Sequence, residues 1–222
     1  MALLDIINSQ QLLIILWLLY FSIHSLFASL WFKQLVANHF PDLMPGYRLA
    51  FNAAALLILI PPVYFMYRYP GENLWTWSGG WRYLSYLASI IALGGFLWSL
   101  RYYKIREFIG TSQLKEGRKD ILEQEQFYLS PLHHYVRHPW YSLALLFIWT
   151  RDMNESFFVS ACLISIYFII GSRLEEKKLI VYHGEQYNIY RQKVAALIPL
   201  PWRILSKEQA EKITGITNSV ET

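Results

Sequence analysis

The sequence predicts an all-α protein: a polytopic membrane helix bundle of five membrane segments, the fourth and fifth forming a hairpin, with a short cytoplasmic helix near the C-terminus. Three observations predict it. Of 222 residues, 55% are hydrophobic and only 16% charged, where soluble domains carry roughly 25%. The charges leave long gaps. The 20 Lys and Arg residues also fall unevenly between those gaps. The single cysteine, Cys162, excludes an internal disulfide framework and any cysteine-rich metal centre.

The first gap, Gln11–Phe32, holds 22 uncharged residues. About 20 apolar residues are enough for a helix to cross the ~30 Å hydrocarbon layer. The apolar core is too long for a cleavable signal peptide, and no basic residue precedes it. His24 and Ser25 fall in its cytoplasmic half. An ionisable residue inside a span is a functional candidate by default; a neutral histidine bonded to a neighbouring helix is the competing reading, and both stay open. The second span, Leu49–Tyr67, is preceded by Arg48, which shares a helix face with Asn52 four residues on. Pro61-Pro62 is expected to kink or end its upper part. Trp75, Trp77 and Trp81 then read as anchors at the outer interface. The third span is Tyr83–Leu100, whose Gly94-Gly95 pair favours close helix packing.

Arg101–Tyr135 is a polar, partly helical cytoplasmic loop with breaks at Gly110 and Gly117. Trp140–Trp149 is an apolar run of ten residues, about half a bilayer at 1.5 Å per residue. The last span is Ser156–Ser172. Residues 1–205 read as one membrane domain and 206–222 as a polar, frayed tail.

With five segments and the N-terminus outside, the outer loops carry Arg68, Arg82 and Arg151, and the other 17 basic residues lie inside. The positive-inside rule favours this arrangement. Four spans with the short run lying in the interface would put both termini on one side. The isoelectric point near 9.0 then reflects orientation in the lipid bilayer. No nucleic-acid motif accompanies it, and the sequence names no protein partner.

The chemistry concentrates after Tyr135. In Arg137-His138-Pro139-Trp140-Tyr141, Pro139 suits a first helical position and pushes His138 out of the helical region. Arg137 and His138 therefore sit at a helix start, where unpaired N–H groups favour a carboxylate or phosphate. The following helix is too short to span, so this turn lies at membrane depth, where polar backbone needs a water- or ligand-filled cavity. After the last span comes Arg173-Leu174-Glu175-Glu176-Lys177-Lys178-Leu179, with a helix stop at Gly184. Tyr187, Tyr190, Arg191 and Val194 share a face of a further short helix that ends at Ile198-Pro199. The adjacent carboxylates suit a cation or hydroxyl groups; alone, they are equally well read as a solvated helix end pairing Glu175 with Lys178.

Taken together, Arg-His-Pro-x-Tyr, then Glu-Glu-x-x-Leu, Gly-x-x-Tyr-x-x-Tyr-x-x-x-Val and Ile-Pro over residues 131–201 resemble the integral-membrane methyltransferases. That group includes isoprenylcysteine carboxyl, phospholipid and methanethiol S-methyltransferases. Upstream, His24-Ser25 and Tyr47-Arg48-Leu49 with Asn52 look more like the NnrU and methanethiol-methyltransferase branch. The chain departs from the family at Leu143, where glycine is common, and at Gly94-Gly95, where phospholipid enzymes carry Gly-x-Gly; the latter counts against a phospholipid substrate. Val194-Ala195 replaces Val-Pro.

The resemblance implies an enzyme of the bacterial inner membrane that binds S-adenosylmethionine on its cytoplasmic face and methylates a small or lipophilic acceptor, either a thiol or an isoprenylcysteine-like carboxylate. It implies a cofactor pocket lined by His138, Pro139, Tyr141, Glu175 and Glu176 and closed by Tyr187 and Tyr190. Arg137 is a candidate for the cofactor carboxylate, and His138 or His24 for the acceptor's proton. No metal is expected. An NADPH-dependent reductase of the sterol-reductase type and a non-catalytic NnrU-like protein are the alternatives. A di-iron oxidase built on His133, His134 and His138 lacks the repeated histidine spacings such sites need.

Overall fold

The computed structural model describes residues 8–119 and 127–215, so part of the predicted cytoplasmic loop and the last tail residues lie outside the described residues. Nine α-helices, three short 3-10 helices and one small two-stranded sheet are found among them. Four helical segments are long and apolar enough to cross a membrane: Ser9–Ala28, Pro41–Arg68, Gly79–Tyr102 and Glu155–Lys193. The predicted fourth segment is an apolar helix of 11 residues, Pro139–Trp149. Contacts divide the chain into two compact units, each interleaved in sequence.

The first unit holds α1 (Ser9–Ala28), α2 (Leu30–His39), α3 (Met44–Arg68), α5 (Ile105–Ile109), α6 (Thr111–Glu116) and the first turns of α8 (Glu155–Lys193). α1 starts at a reciprocal cap: Gln11 N donates to Asn8 Oδ1 at 2.8 Å, and Asn8 N donates to Gln11 Oε1 at 3.1 Å. Its buried Leu13 and Trp17 pack with Met66 of α3. Trp17 Nε1 donates to Ser160 Oγ at 2.8 Å, which satisfies the indole in an apolar setting. The first predicted span is not one helix. Ser29 breaks it, with extended backbone and an Oγ that accepts from Phe32 N at 3.2 Å, so it caps α2.

α3 runs through Pro61 and Pro62 instead of ending there. Such prolines are tolerated in membrane helices because neighbouring groups re-satisfy the freed backbone. β1 (Asn73–Trp75) pairs antiparallel with β2 (Met153–Asn154), and Asp152 Oδ1 accepts from Trp77 N at 2.8 Å. Toward the start of α3, Arg48 and Asn52 act together on the one face expected for them. Arg48 Nε and Asn52 Nδ2 donate to Phe108 O at 3.0 and 3.1 Å, and Asn52 also reaches Ile109 O at 3.0 Å. They complete the carbonyl end of α5. Gly110 follows at φ +101°, and a Cβ there would lie 2.6 Å from Leu49 N. Gly117 ends α6 in the same left-handed region, so both predicted breaks are helix caps.

The second unit holds α4 (Gly79–Ser99), α7 (Pro139–Trp149), the rest of α8 and α9 (Lys207–Thr214). Ser85, Ser89, Ala92 and Ser99 form the buried stripe of α4. Trp140 Nε1 donates to Ser99 Oγ at 2.8 Å, and Ser85 Oγ donates to Thr150 O at 2.5 Å. Only the second glycine of Gly94-Gly95 meets α7: a Cβ at Gly95 would stand 3.2 Å from Leu143, whereas one at Gly94 would meet nothing. Trp149 Nε1 donates to Ser165 Oγ at 3.0 Å, which ties α7 to α8.

The helix of the last span continues through Glu175-Glu176 to Gly184, whose non-helical backbone (φ 53°, ψ −125°) separates it from a second helical stretch ending at Lys193, as the sequence predicts. One predicted end needs correction: the stretch after Leu205 does not fray at once. Ser206 and Gln209 form a capping box, and α9 buries Ala210 and Ile213 against Leu129, Tyr187, Tyr190, Val194 and Leu205. Its apolar face was hidden by a polar composition.

Candidate functional site

Pro139 opens α7, and His138 precedes it at φ −122° and ψ 72°, outside the helical region that a following proline disfavours. The turn is stitched to the chain beyond α8. Val136 bridges Ala195 in parallel. Arg137 N donates to Ala195 O at 2.8 Å and His138 N to Ala196 O at 3.1 Å. Ser142, one turn into α7, donates to Leu197 O at 2.6 Å.

Facing this turn is the Glu175-Glu176 pair of α8. Glu176 is buried, and its Oε1 accepts from Arg137 Nε at 2.8 Å, stands 2.7 Å from Arg137 Nη2 and lies 3.1 Å from His138 Nε2. Glu175 Oε2 lies 3.4 Å from His138 Nδ1, but that side chain is 48% exposed. The imidazole is thus bracketed by two carboxylates. Burial pushes His138 toward neutrality, yet hydrogen bonds and charge from Glu175 and Glu176 outweigh it, so its pKa is raised above the ordinary value. The second face of the Arg137 guanidinium turns to the end of α8: Nη1 donates to Arg191 O at 3.0 Å and to Val194 O.

Aromatic rings flank the cluster. His138 lies nearly parallel to Tyr141 (5.5 Å, 11°), and Tyr141 to Phe168 of α8 (4.6 Å, 5°). Tyr187 and Tyr190 are almost completely buried at 1% exposure. Tyr190 donates its hydroxyl to His133 O at 2.8 Å. The Tyr187 hydroxyl, in contrast, is buried without a well-formed hydrogen bond, and it faces the Arg137 guanidinium.

The structure therefore brings Arg137, His138, Pro139, Tyr141, Glu175, Glu176, Tyr187 and Tyr190 into one neighbourhood of the second unit. His24 belongs to the first unit, where its ring packs near Tyr20 and Phe51 at 5.7 and 5.1 Å. His133 is engaged elsewhere. Its Nδ1 stands 2.7 Å from Ser130 Oγ, and burial, helped by the nearby His138 charge, pushes its pKa down to about 4. Among the described residues, no group of three or more His, Cys, Asp or Glu side chains is placed to hold a metal ion.

Sequence reasoning missed three participants: Ser142, Phe168 and the carbonyls of Arg191 to Leu197. Only Ser142 left a trace, since it lies one helical turn beyond His138.

No family model and no solved structure matches the chain. Curated proteins do. The chain is 40% identical over 95 residues to a methanethiol S-methyltransferase of a Pseudomonas species, covering 42% of this chain and 36% of that protein. It is 30% identical over 157 residues to a methanethiol S-methyltransferase of Crocosphaera subtropica, covering 67% of this chain and 58% of the relative. A third, from Pseudomonas deceptionensis, is 34% identical over 95 residues. The chain thus spans between 36% and 58% of the length of these relatives.

Proposed function

We propose that the protein is an integral-membrane methyltransferase that takes S-adenosylmethionine on the side of its basic loops and methylates a small thiol. The observation that carries the reading is the buried cluster of Glu176, His138 and Arg137, with the half-exposed Glu175 and the buried Tyr187 hydroxyl beside it. The names of the relatives support the thiol acceptor.

The donor set fits such a cofactor. S-adenosylmethionine supplies a methyl group on a sulfonium sulfur, which a thiolate attacks in line while the carbon–sulfur bond to the cofactor breaks and its sulfur becomes a neutral thioether. The chain's own groups do the rest. All three cluster contacts of Glu176 fall on Oε1, so Oε2 is left to accept from an ammonium or a ribose hydroxyl. Glu175, in the more open position, is the second acceptor. The Tyr187 hydroxyl is a donor or acceptor for a polar ligand atom. The first turn of α7 offers N–H groups for a carboxylate. Tyr141, stacked with both His138 and Phe168, backs the imidazole and holds it against the carboxylates. His138, biased toward its protonated form, bridges the two glutamates as a donor; it is not a ready base for the acceptor thiol.

The bilayer supplies the surroundings, with the N-terminus outside, the C-terminus in the cytoplasm and α7 serving as a fifth, half-length membrane segment. Alignment of acceptor and donor and exclusion of water account for much of the rate of such displacements.

The test uses the purified full chain in detergent with methyl-labelled S-adenosylmethionine. Methanethiol is the first acceptor, followed by other small thiols, prenylcysteines and lipids. Label transferred to methanethiol in preference to the others supports the proposal. NADPH binding without S-adenosylmethionine binding would replace it with the reductase reading, and binding of neither would leave a non-catalytic membrane protein.

A further inference from the structure

We propose that Arg137 and Ser142 are positioning residues that clamp the segment beyond Gly184 against the site, and that Arg137 does not hold the cofactor's carboxylate. The inference rests on the methyltransferase reading for its ligands, but the clamp itself is read from geometry.

The donor count of Arg137 carries it. A guanidinium has five N–H donors in a fixed fork. Nε and Nη2 are directed at Glu176 Oε1, and Nη1 at the carbonyls of Arg191 and Val194. Four of the five are thus directed at this chain's own acceptors. The Arg137 side chain is 9% exposed. It joins the carboxylate on one side of Gly184 to the carbonyl end of the helix on the other side.

Gly184 makes such a tie necessary. Its φ of +53° with ψ of −125° is a glycine conformation, and a Cβ there would touch nothing within 4 Å. Neither side-chain packing nor a continuous helical ladder at that residue fixes the direction in which residues 185–193 leave it. It is fixed farther along, by the core packing of Tyr187 and Tyr190, by the Tyr190 bond to His133 O, and by ties at the far end of the segment. There, Arg137 holds Arg191 and Val194, while Ser142 donates to Leu197 O at 2.6 Å beside the backbone bonds to Ala195 and Ala196. Tyr187 lies on the clamped segment and faces the Arg137 guanidinium, so the position of its hydroxyl depends on these ties.

Two measurements on the detergent-purified full chain test this, with Arg137→Lys and Ser142→Ala. Lysine keeps a charge for Glu176 but cannot also reach two carbonyls. In hydrogen exchange, both variants should open residues 185–197 about fivefold or more faster than wild type, as expected for losing one net hydrogen bond, while α4 stays unchanged. Unchanged exchange in both overturns the clamp, whatever ligands do. The second measurement compares calorimetric binding of S-adenosylhomocysteine with that of its decarboxylated analogue, which keeps the ammonium and lacks only the carboxylate. The clamp predicts that each variant weakens both ligands alike and keeps the wild-type ratio between them. A ratio that collapses toward one in Arg137→Lys would make Arg137 the direct carboxylate ligand and refute the proposal. If wild type binds neither ligand, the methyltransferase reading fails, whereas the exchange result still decides the clamp.

Discussion

Glu175 and Glu176 are adjacent in sequence and identical in chemistry, yet the structure separates their roles sharply. Glu176→Gln should both destabilise the protein and weaken cofactor binding. Its side chain is 9% exposed and takes two contacts from Arg137 and one from His138 on a single oxygen. Deleting one member of a buried ion pair costs about 3–5 kcal/mol. Glutamine keeps an acceptor oxygen but turns charge-assisted bonds into ordinary ones of about half the strength. The expected loss of stability is therefore about 2–3 kcal/mol, below the cost of deleting a partner outright. Glu175 is 48% exposed, lies 3.4 Å from His138 and faces the Tyr141 hydroxyl. Glu175→Gln should change stability by no more than about 0.5 kcal/mol, as for surface positions. If both line the ligand site, each variant should still lose about 1–3 kcal/mol of affinity for S-adenosylhomocysteine. The assay is thermal unfolding in one detergent, paired with calorimetric titration at fixed salt, because exposed charges are screened. Equal destabilisation by the two variants would refute the assignment of roles. Unchanged affinity in both would reduce the glutamates to structural ion pairing.

Further outcomes follow from other parts of the molecule. For His138, a raised pKa means that the stability it contributes is fully present below the unfolded value of about 6.5 and is lost as pH rises through the higher folded value. The melting difference between wild type and His138→Gln should therefore shrink at alkaline pH, and a difference that grows would reverse the assignment. Gly110→Ala should destabilise by well over the usual ~1 kcal/mol of a mutation, because φ is +101° and the new Cβ would press on Leu49 N at 2.6 Å; a melting temperature equal to wild type would contradict that packing. For topology, Asp152→Cys in a Cys162→Ser background should react with an impermeant thiol reagent added outside intact cells, and Gln113→Cys should not. The reverse pattern would invert the positive-inside assignment.

Much of the architecture was legible because membrane solvation writes itself into composition. Charge-free stretches locate the four long helices, and Pro139, Gly110 and Gly117 mark backbone geometry that few other residues tolerate. What stayed hidden depends on the main chain. Ser29 looks like any serine inside an apolar run until its Oγ is seen capping α2. α9 is polar by count, and only its docking shows Ala210 and Ile213 to be core residues. Arg137 read as an anion receptor because an arginine at a helix start usually faces outward; its partners include the carbonyls of Arg191 and Val194. Every residue has a carbonyl, so no sequence pattern records which ones an arginine will choose.

The same distinction bears on how the site works. A buried arginine and a histidine biased toward protonation would together leave an uncompensated positive charge, a poor environment for a sulfonium cation. Glu176 and Glu175 offset it, so the cluster has roughly zero net charge, and Glu175 is its most exposed member. Arg137 is tied to the carbonyls of α8, and His138 is held between the carboxylates. Under the proposed function, a cationic ligand would meet Glu175 before either cation. Removing the Arg137 charge while keeping both glutamates should consequently alter ligand affinity through the geometry of Glu176 and Tyr187. It should not produce the gain in cation affinity that simple loss of a nearby positive charge predicts. Binding of S-adenosylmethionine and neutral S-adenosyl analogues to Arg137→Gln separates the two: a selective gain for the sulfonium ligand would show that Arg137 acts on the ligand as a bare charge, against the arrangement described.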